Sequence, residues 1–234
     1  LTSNNKNIII NADPESDQYK HCYFLLEEWL TDSCAAVKHK MGSDNNQEKE
    51  NSVSKDPKAL KQYDKGVDYL KVDNYKDALP WFEKAVAIDP KFAFAWDNIG
   101  ICNRKLGNLD KALEAYKKSL EYDPQGKTPL QNIPIVYEYK EQYDKAIEAY
   151  KRFNEVFPDD PEGLYGTGRM YVMKKDLEKG LDYMCKAYNR YTEIKSPYRV
   201  DAQSIIAAIY GEMKGKGQEA KFMKILEDNH ISMK

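Results

Sequence analysis

From residue 57 onward the apolar positions fall three and four residues apart, the spacing of one helix face. In "DNYKDALPWFEKAVAIDP", Asp73 to Pro90, Ala78, Phe82 and Ala85 share that face, and Asp89-Pro90 closes the segment. Proline cannot continue a helix and biases its predecessor away from helical angles. The pattern returns 34 residues later as "GNLDKALEAYKKSLEYDP", Gly107 to Pro124, and again as "EQYDKAIEAYKRFNEVFP", Glu141 to Pro158. Each such segment follows another amphipathic stretch, so each unit predicts two antiparallel helices and a turn. One hairpin cannot bury its apolar face alone, whereas a stacked neighbour can cover it. The period therefore predicts an all-α fold, a right-handed superhelix of helix hairpins. Four units cover residues 59–92, 93–126, 127–160 and 161–194. Residues 195–234 predict a further, degenerate helix pair with irregular spacing that caps the array.

The N-terminal part reads differently. Ile8 to Ile10 is a short β-prone run. Asp13-Pro14 is a helix start, and Tyr19, Cys22, Tyr23, Leu26, Trp29, Leu30 and Val37 form a helical stripe that Gly42 ends. That helix, within residues 1–41, is expected to dock on the open face of the first repeat, elsewhere on the array or on a neighbouring molecule. Residues 42–56 are polar and read as a flexible linker. Asp56-Pro57 repeats the helix-start signal. Within "TPLQNIPIVYEYK", Pro134 removes a backbone donor, so the helix is expected to kink there or to begin late, near Asn132.

These residues resemble the tetratricopeptide repeat family. Its preferred residues appear as Gly66, Tyr69, Ala78, Phe82, Ala85 and Pro90 in the first unit. The second has Trp96, Gly100, Ala112 and Pro124; the third has Tyr137, Ala146 and Pro158; the fourth has Gly168, Tyr171 and Ala187. The fourth departs by placing Gly180 where alanine is usual and by lacking the closing proline. The resemblance implies a concave groove lined by the first helix of each unit. Carried over by position, the groove set is Tyr63, Val67, Phe94, Asn98, Ile101, Arg104, Gln131, Asn132, Ile135, Tyr165 and Arg169, with Asp97, Glu138 and Glu162 at further inner-face positions. The apolar members either pack against neighbouring helices or meet a ligand. The two arginines are expected to offer cations to an acidic side chain. The family's clamp for chaperone C-termini needs Lys and Asn where this protein has Tyr63 and Val67, so that role is disfavoured although Asn98 fits.

Composition narrows the function. Hydrophobic residues are 41% and charged residues 32% of 234, with a formal net charge of −2. No basic stripe is present for a phosphate backbone, so nucleic acid is not an expected partner. Residues 1–57 carry 6 Lys/Arg against 10 Asp/Glu, a mild acidity that is either solvated surface or a segment docking on its own array. Four cysteines and three histidines lack metal-ligand spacing, and no metal or cofactor is expected. Scattered cysteines and the absence of a membrane-length apolar run fit a reducing, cytoplasmic setting. "YGTGRM" around Gly166 and Gly168 lacks the third glycine of a phosphate loop and reads as close helix packing. The carboxylates fall beside lysines at helix-surface spacings, and no nucleophile–base pair stands out. The expected function is a non-enzymatic module that binds a protein or peptide segment. The alternatives are a self-assembling scaffold, homo-oligomeric through its N-terminal helix, and an enzyme with a site between that segment and the repeats.

Overall fold

The computed structural model describes residues 6–8 and 53–233. The expected helix of residues 14–40, Cys22, Cys34 and most of the linker lie outside the described residues. Ten helices are present among them: α1 (Pro57–Leu70), α2 (Tyr75–Ile88), α3 (Ala93–Lys105), α4 (Leu109–Tyr122), α5 (Lys127–Tyr139), α6 (Tyr143–Val156), α7 (Glu162–Met173), α8 (Leu177–Glu193), α9 (Arg199–Gly215) and α10 (Glu219–Asp228). Two three-residue strands, β1 (Lys6–Ile8) and β2 (Ile231–Met233), accompany them. The protein divides into two compact units, residues 45–170 and residues 171–234 with the N-terminal residues.

Asp56 begins α1 as the sequence predicts. Its Oδ1 accepts from the amides of Lys58 at 2.7 Å and Ala59 at 3.4 Å, and Pro57 occupies the first turn, where a missing donor does no harm. The turns between paired helices keep the 34-residue step. Asp73, Gly107, Glu141 and Lys175 all have positive φ, from 54° to 79°. The residue after each donates its amide to the carbonyl five positions back: Asn74 to Tyr69, Asn108 to Asn103, Gln142 to Tyr137 and Asp176 to Tyr171, at 2.8–3.0 Å. This bond closes the helix end through a left-handed residue. Only one of the four is glycine. The other three accept a conformation that costs a side-chain-bearing residue about 1 kcal/mol, which the closed turn and its packing offset.

Within the 45–170 unit, α1 pairs with α2, α3 with α4, and α5 with α6. Gly66 and Gly100 set the first two pairings. A Cβ at Gly66 would lie 2.6 Å from the Phe82 ring, and one at Gly100 would lie 2.4 Å from Tyr116. In the third hairpin Pro134 takes that place. The corresponding ring, Tyr150, instead meets Gly166 of α7, where a Cβ would lie 2.3 Å away. The glycines of "YGTGRM" thus serve helix packing. Ala59, Ala78, Phe82, Ala85, Phe92 and Ile99 form one core cluster, and Ala112, Leu113, Tyr116 and Val136 form another.

The late start expected for α5 is not observed. The helix begins at Lys127, with Pro129 in its first turn and Pro134 inside. Pro134 has no amide to give the Leu130 carbonyl, but it is buried, and packing holds the helix across the missing bond. Pro80 lies inside α2 in the same way.

In the 171–234 unit, α8 packs on α9 and α10. Leu181, Met184, Ile206, Ile209, Met213 and Phe222 are fully buried. Here the period lengthens. The next turn, at Gly217 with φ 69°, comes 42 positions after Lys175, because α8 and α9 have 17 residues each. β2 follows α10 and pairs in parallel with β1, Lys6 opposite Ile231 and Ile8 opposite Met233. The sequence placed an N-terminal strand at Ile8 to Ile10. It lies two residues earlier, and its partner strand was not anticipated.

Candidate functional site

The expected groove residues all lie on α1, α3, α5 and α7, and α3 touches α5 directly. Tyr63 is half-buried. Its ring stands 5.4 Å from Phe82 and 4.8 Å from Phe92, and its hydroxyl accepts from Asn98 Nδ2 at 3.0 Å. Tyr63 is therefore a core aromatic whose hydroxyl joins α1 to α3, more than a free contact surface. Val67 and Phe94 pack on the same cluster and stay partly exposed, and Ile101 does so on the second cluster. Gln131 is partly exposed and makes no hydrogen bond with a described residue.

Four positions depart from the expected groove. Asn132 and Ile135 are each 9% exposed and Arg104 is 7% exposed, so all three are buried in this structure. Asn132 Nδ2 donates to the Thr128 carbonyl at 2.8 Å, bracing the first turn of α5, and its Oδ1 is buried without a partner. Arg169 is not a cation awaiting a ligand, because its Nη2 donates to Glu138 Oε1 in an ion pair that joins α5 to α7. Both side chains are only 13% exposed. Burial works against the Arg169 charge, but Glu138 outweighs it and holds the guanidinium pKa above its ordinary value. Tyr165 lies beneath Arg169, the guanidinium 6.0 Å from its ring centre. The Tyr150 hydroxyl points to Glu138 Oε2 at 3.5 Å.

Two groups of polar residues were not recognised as groups from the sequence. The first lies in the α3/α4 hairpin. Asp97 Oδ1, Arg104 Nε, Tyr116 Oη and Ser119 Oγ are all buried, and none completes a hydrogen bond. Burial pushes the Asp97 pKa up to about 7; the Ser119 hydroxyl opposes this and the Asp123 charge adds to it. Burial also raises the Tyr116 phenol, with Arg104 acting against it. The signal was present: Ser119 stands where the repeat family places alanine. The second group surrounds α7. Glu162 is driven up to about 8 by burial and then by Asp160, against the pull of Arg169 and Lys127. Asp160 itself pairs with Lys127 at 2.7 Å.

Among the described residues no three His, Cys, Asp or Glu side chains gather as metal ligands, and no helix is long and apolar enough to cross a membrane. Cys102 and Cys185 are free and buried. The chaperone-clamp role gains no support, since Asn98 donates its amide to Tyr63.

Sequence profiles of the tetratricopeptide repeat match residues 62–92, 93–125 and 135–193, together more than half of the protein. No curated protein matches. Among solved structures, a MamA fragment from Desulfovibrio magneticus RS-1 aligns with a TM-score of 0.61 at 18% identity, over 75% of this protein and 95% of that one. A tetratricopeptide repeat protein from Parabacteroides merdae aligns at 0.58 and 18% identity, over 74% and 67%. YrrB, described as a repeat protein with an unusual peptide-binding site, aligns at 0.55 and 20% identity, over 73% and 84%. These likenesses establish the fold alone.

Proposed function

We propose that this protein, which belongs to the tetratricopeptide repeat family, is a non-catalytic interaction module that takes a peptide segment of another protein against its first helices. The surface in question runs over α1, α3, α5 and the part of α7 up to Met170. Gln131 carries the reading. It sits part-exposed on α5 with donor and acceptor both uncommitted among the described residues. A neutral amide of that kind matches a peptide backbone, which also offers both. The part-exposed apolar groups Val67, Phe94 and Ile101 on the same series of helices supply contact area.

Phe94→Ala with Gln131→Ala tests it. If each group contributes about 1 kcal/mol, partner capture should fall by roughly tenfold or more. Both residues are part-exposed, so the variant should keep its helical spectrum. A folded double variant that holds every partner as well as the parent would move the binding surface off these helices.

A further inference from the structure

Successive repeats superpose in sequence by a step of 34, as Asp73, Gly107, Glu141 and Lys175 demonstrate. Shifting the ion pair that joins α5 to α7 by one such step toward the N-terminus turns Glu138 into Arg104 and Arg169 into Ile135. One repeat earlier, a basic group thus sits on the first of the two helices. The position that should hold its counter-charge is a buried isoleucine. Arg104 is 7% exposed and forms no ion pair with a described residue. Its Nε is buried without a hydrogen bond, and so is the nearby Tyr116 hydroxyl. Asp97 lies seven residues back along α3, about 10 Å by helix rise. A guanidinium withdrawn from water without an anion is unfavourable, and a native protein that retains one has a counter-charge to receive.

We propose that Arg104, with the Tyr116 hydroxyl beside it, is the receptor for a carboxylate carried by the partner segment. The inference rests on the peptide-binding reading of the first helices and gives that partner its chemistry. A planar guanidinium matches the two oxygens and single charge of a carboxylate. Arg169 cannot share the role, because Glu138 already neutralises it. The carboxylate comes either from an acidic side chain or from the free C-terminus of a peptide.

The full-length protein, labelled with nitrogen-15, is titrated with sodium propionate and with sodium chloride at matched ionic strength. The Nε–Hε signal of Arg104, assigned by its loss in Arg104→Lys, should shift saturably with propionate only, and that of Arg169 should stay in place. No propionate shift at Arg104 overturns the proposal. Three peptides are then compared: Tyr-Leu-Glu-Leu-Tyr blocked at both ends, its blocked glutamine twin, and the glutamine twin with a free C-terminus. The glutamate peptide or the free-ended peptide should bind about tenfold tighter than the blocked glutamine twin, and the one that gains identifies the source of the carboxylate. Equal binding of all three, with signals of Phe94 and Gln131 perturbed, overturns the carboxylate assignment and leaves the peptide-binding reading standing. A propionate shift without peptide perturbation at Phe94 or Gln131 upholds the anion receptor and sinks that reading. Ile135→Glu supplies the missing charge within the protein itself. In that variant the propionate shift and the tenfold preference should both vanish, and their survival would show that Arg104 is not the receptor.

Discussion

The contact between α5 and α7 and the contact between α3 and α5 occupy equivalent places in successive repeats, yet they are completed differently. At α5/α7, Glu138 and Arg169 neutralise each other behind Tyr150 and Tyr165. At α3/α5, Arg104 is present and the matching position is Ile135. The backbone frame is shared, since the turns at Gly107 and Glu141 are closed by the same amide-to-carbonyl bond. A repeat therefore fixes where a side chain stands, while its chemistry varies independently. A charge completed inside the protein contributes to stability, and one left incomplete is available to a partner.

The largest expected effect breaks the completed contact. Glu138→Ala leaves Arg169 13% exposed and unpaired, and should lower stability by about 3 kcal/mol. Arg104→Met removes a charge that has no partner, and should be neutral or stabilising by about 1 kcal/mol. Urea unfolding of the two variants reads the difference. Equal losses would mean that Arg104 is completed within the protein after all.

Gly100→Ala probes the frame that holds the incomplete contact. The new Cβ would meet the Tyr116 ring at 2.4 Å, and that residue has no exposed surface to yield into. The expected loss is about 2 kcal/mol. Gly211→Ala, where nothing lies within 4 Å, should instead gain about 0.5 kcal/mol. If Gly100→Ala is as harmless, Tyr116 is not held in place beside Arg104.

Acidity sharpens the comparison from another side. Asp97 and Glu162 have pKa values raised to about 7 and about 8, from 3.8 and 4.5. The folded state therefore holds protons that the unfolded state has released. The stability tied to these neutral carboxyls is fully present below about pH 4. It is lost as pH rises through 7 for Asp97 and 8 for Glu162. Asp97→Asn should unfold at higher urea than the parent at pH 8, by at least about 1 kcal/mol, and match it near pH 4. A constant offset between the two across that range would remove Asp97 from the account.

Much of this arrangement was legible in the sequence because it repeats. The 34-residue step located the turns, the Gly66–Phe82 and Gly100–Tyr116 packing, and the helix start at Asp56. It failed where a local rule was overridden from outside the segment. Pro134 argued for a late start to α5, but Pro129 already supplies a sound first turn, the Asn132 side chain bonds to Thr128, and burial holds the rest. β2 is three residues long and gives no periodicity to read. Arg169 read as a free cation because its counter-charge lies 31 residues away, a separation that only the repeat register could have suggested. Ser119 in place of alanine was the visible trace of the polar group around Asp97.

The smallest expected effect concerns a third cross-repeat ion pair, Lys140 with Asp110. It brings the same kinds of charge together as Glu138 and Arg169, between the start of α4 and the end of α5. The difference is water: Asp110 is 87% exposed and Lys140 is 22% exposed. Solvent screens the attraction, and holding two side chains in one geometry costs entropy, so such pairs contribute about 0.5 kcal/mol or less. Asp110→Ala should shift the urea midpoint barely beyond error, and about 1 M salt should abolish even that. Glu138→Ala should keep most of its loss at the same salt concentration, because its pair is shielded from ions. If Asp110→Ala instead matched Glu138→Ala, cross-repeat charge pairing as such would govern the stability of these contacts. Burial would then not be the variable that separates a structural arginine from one available to a partner.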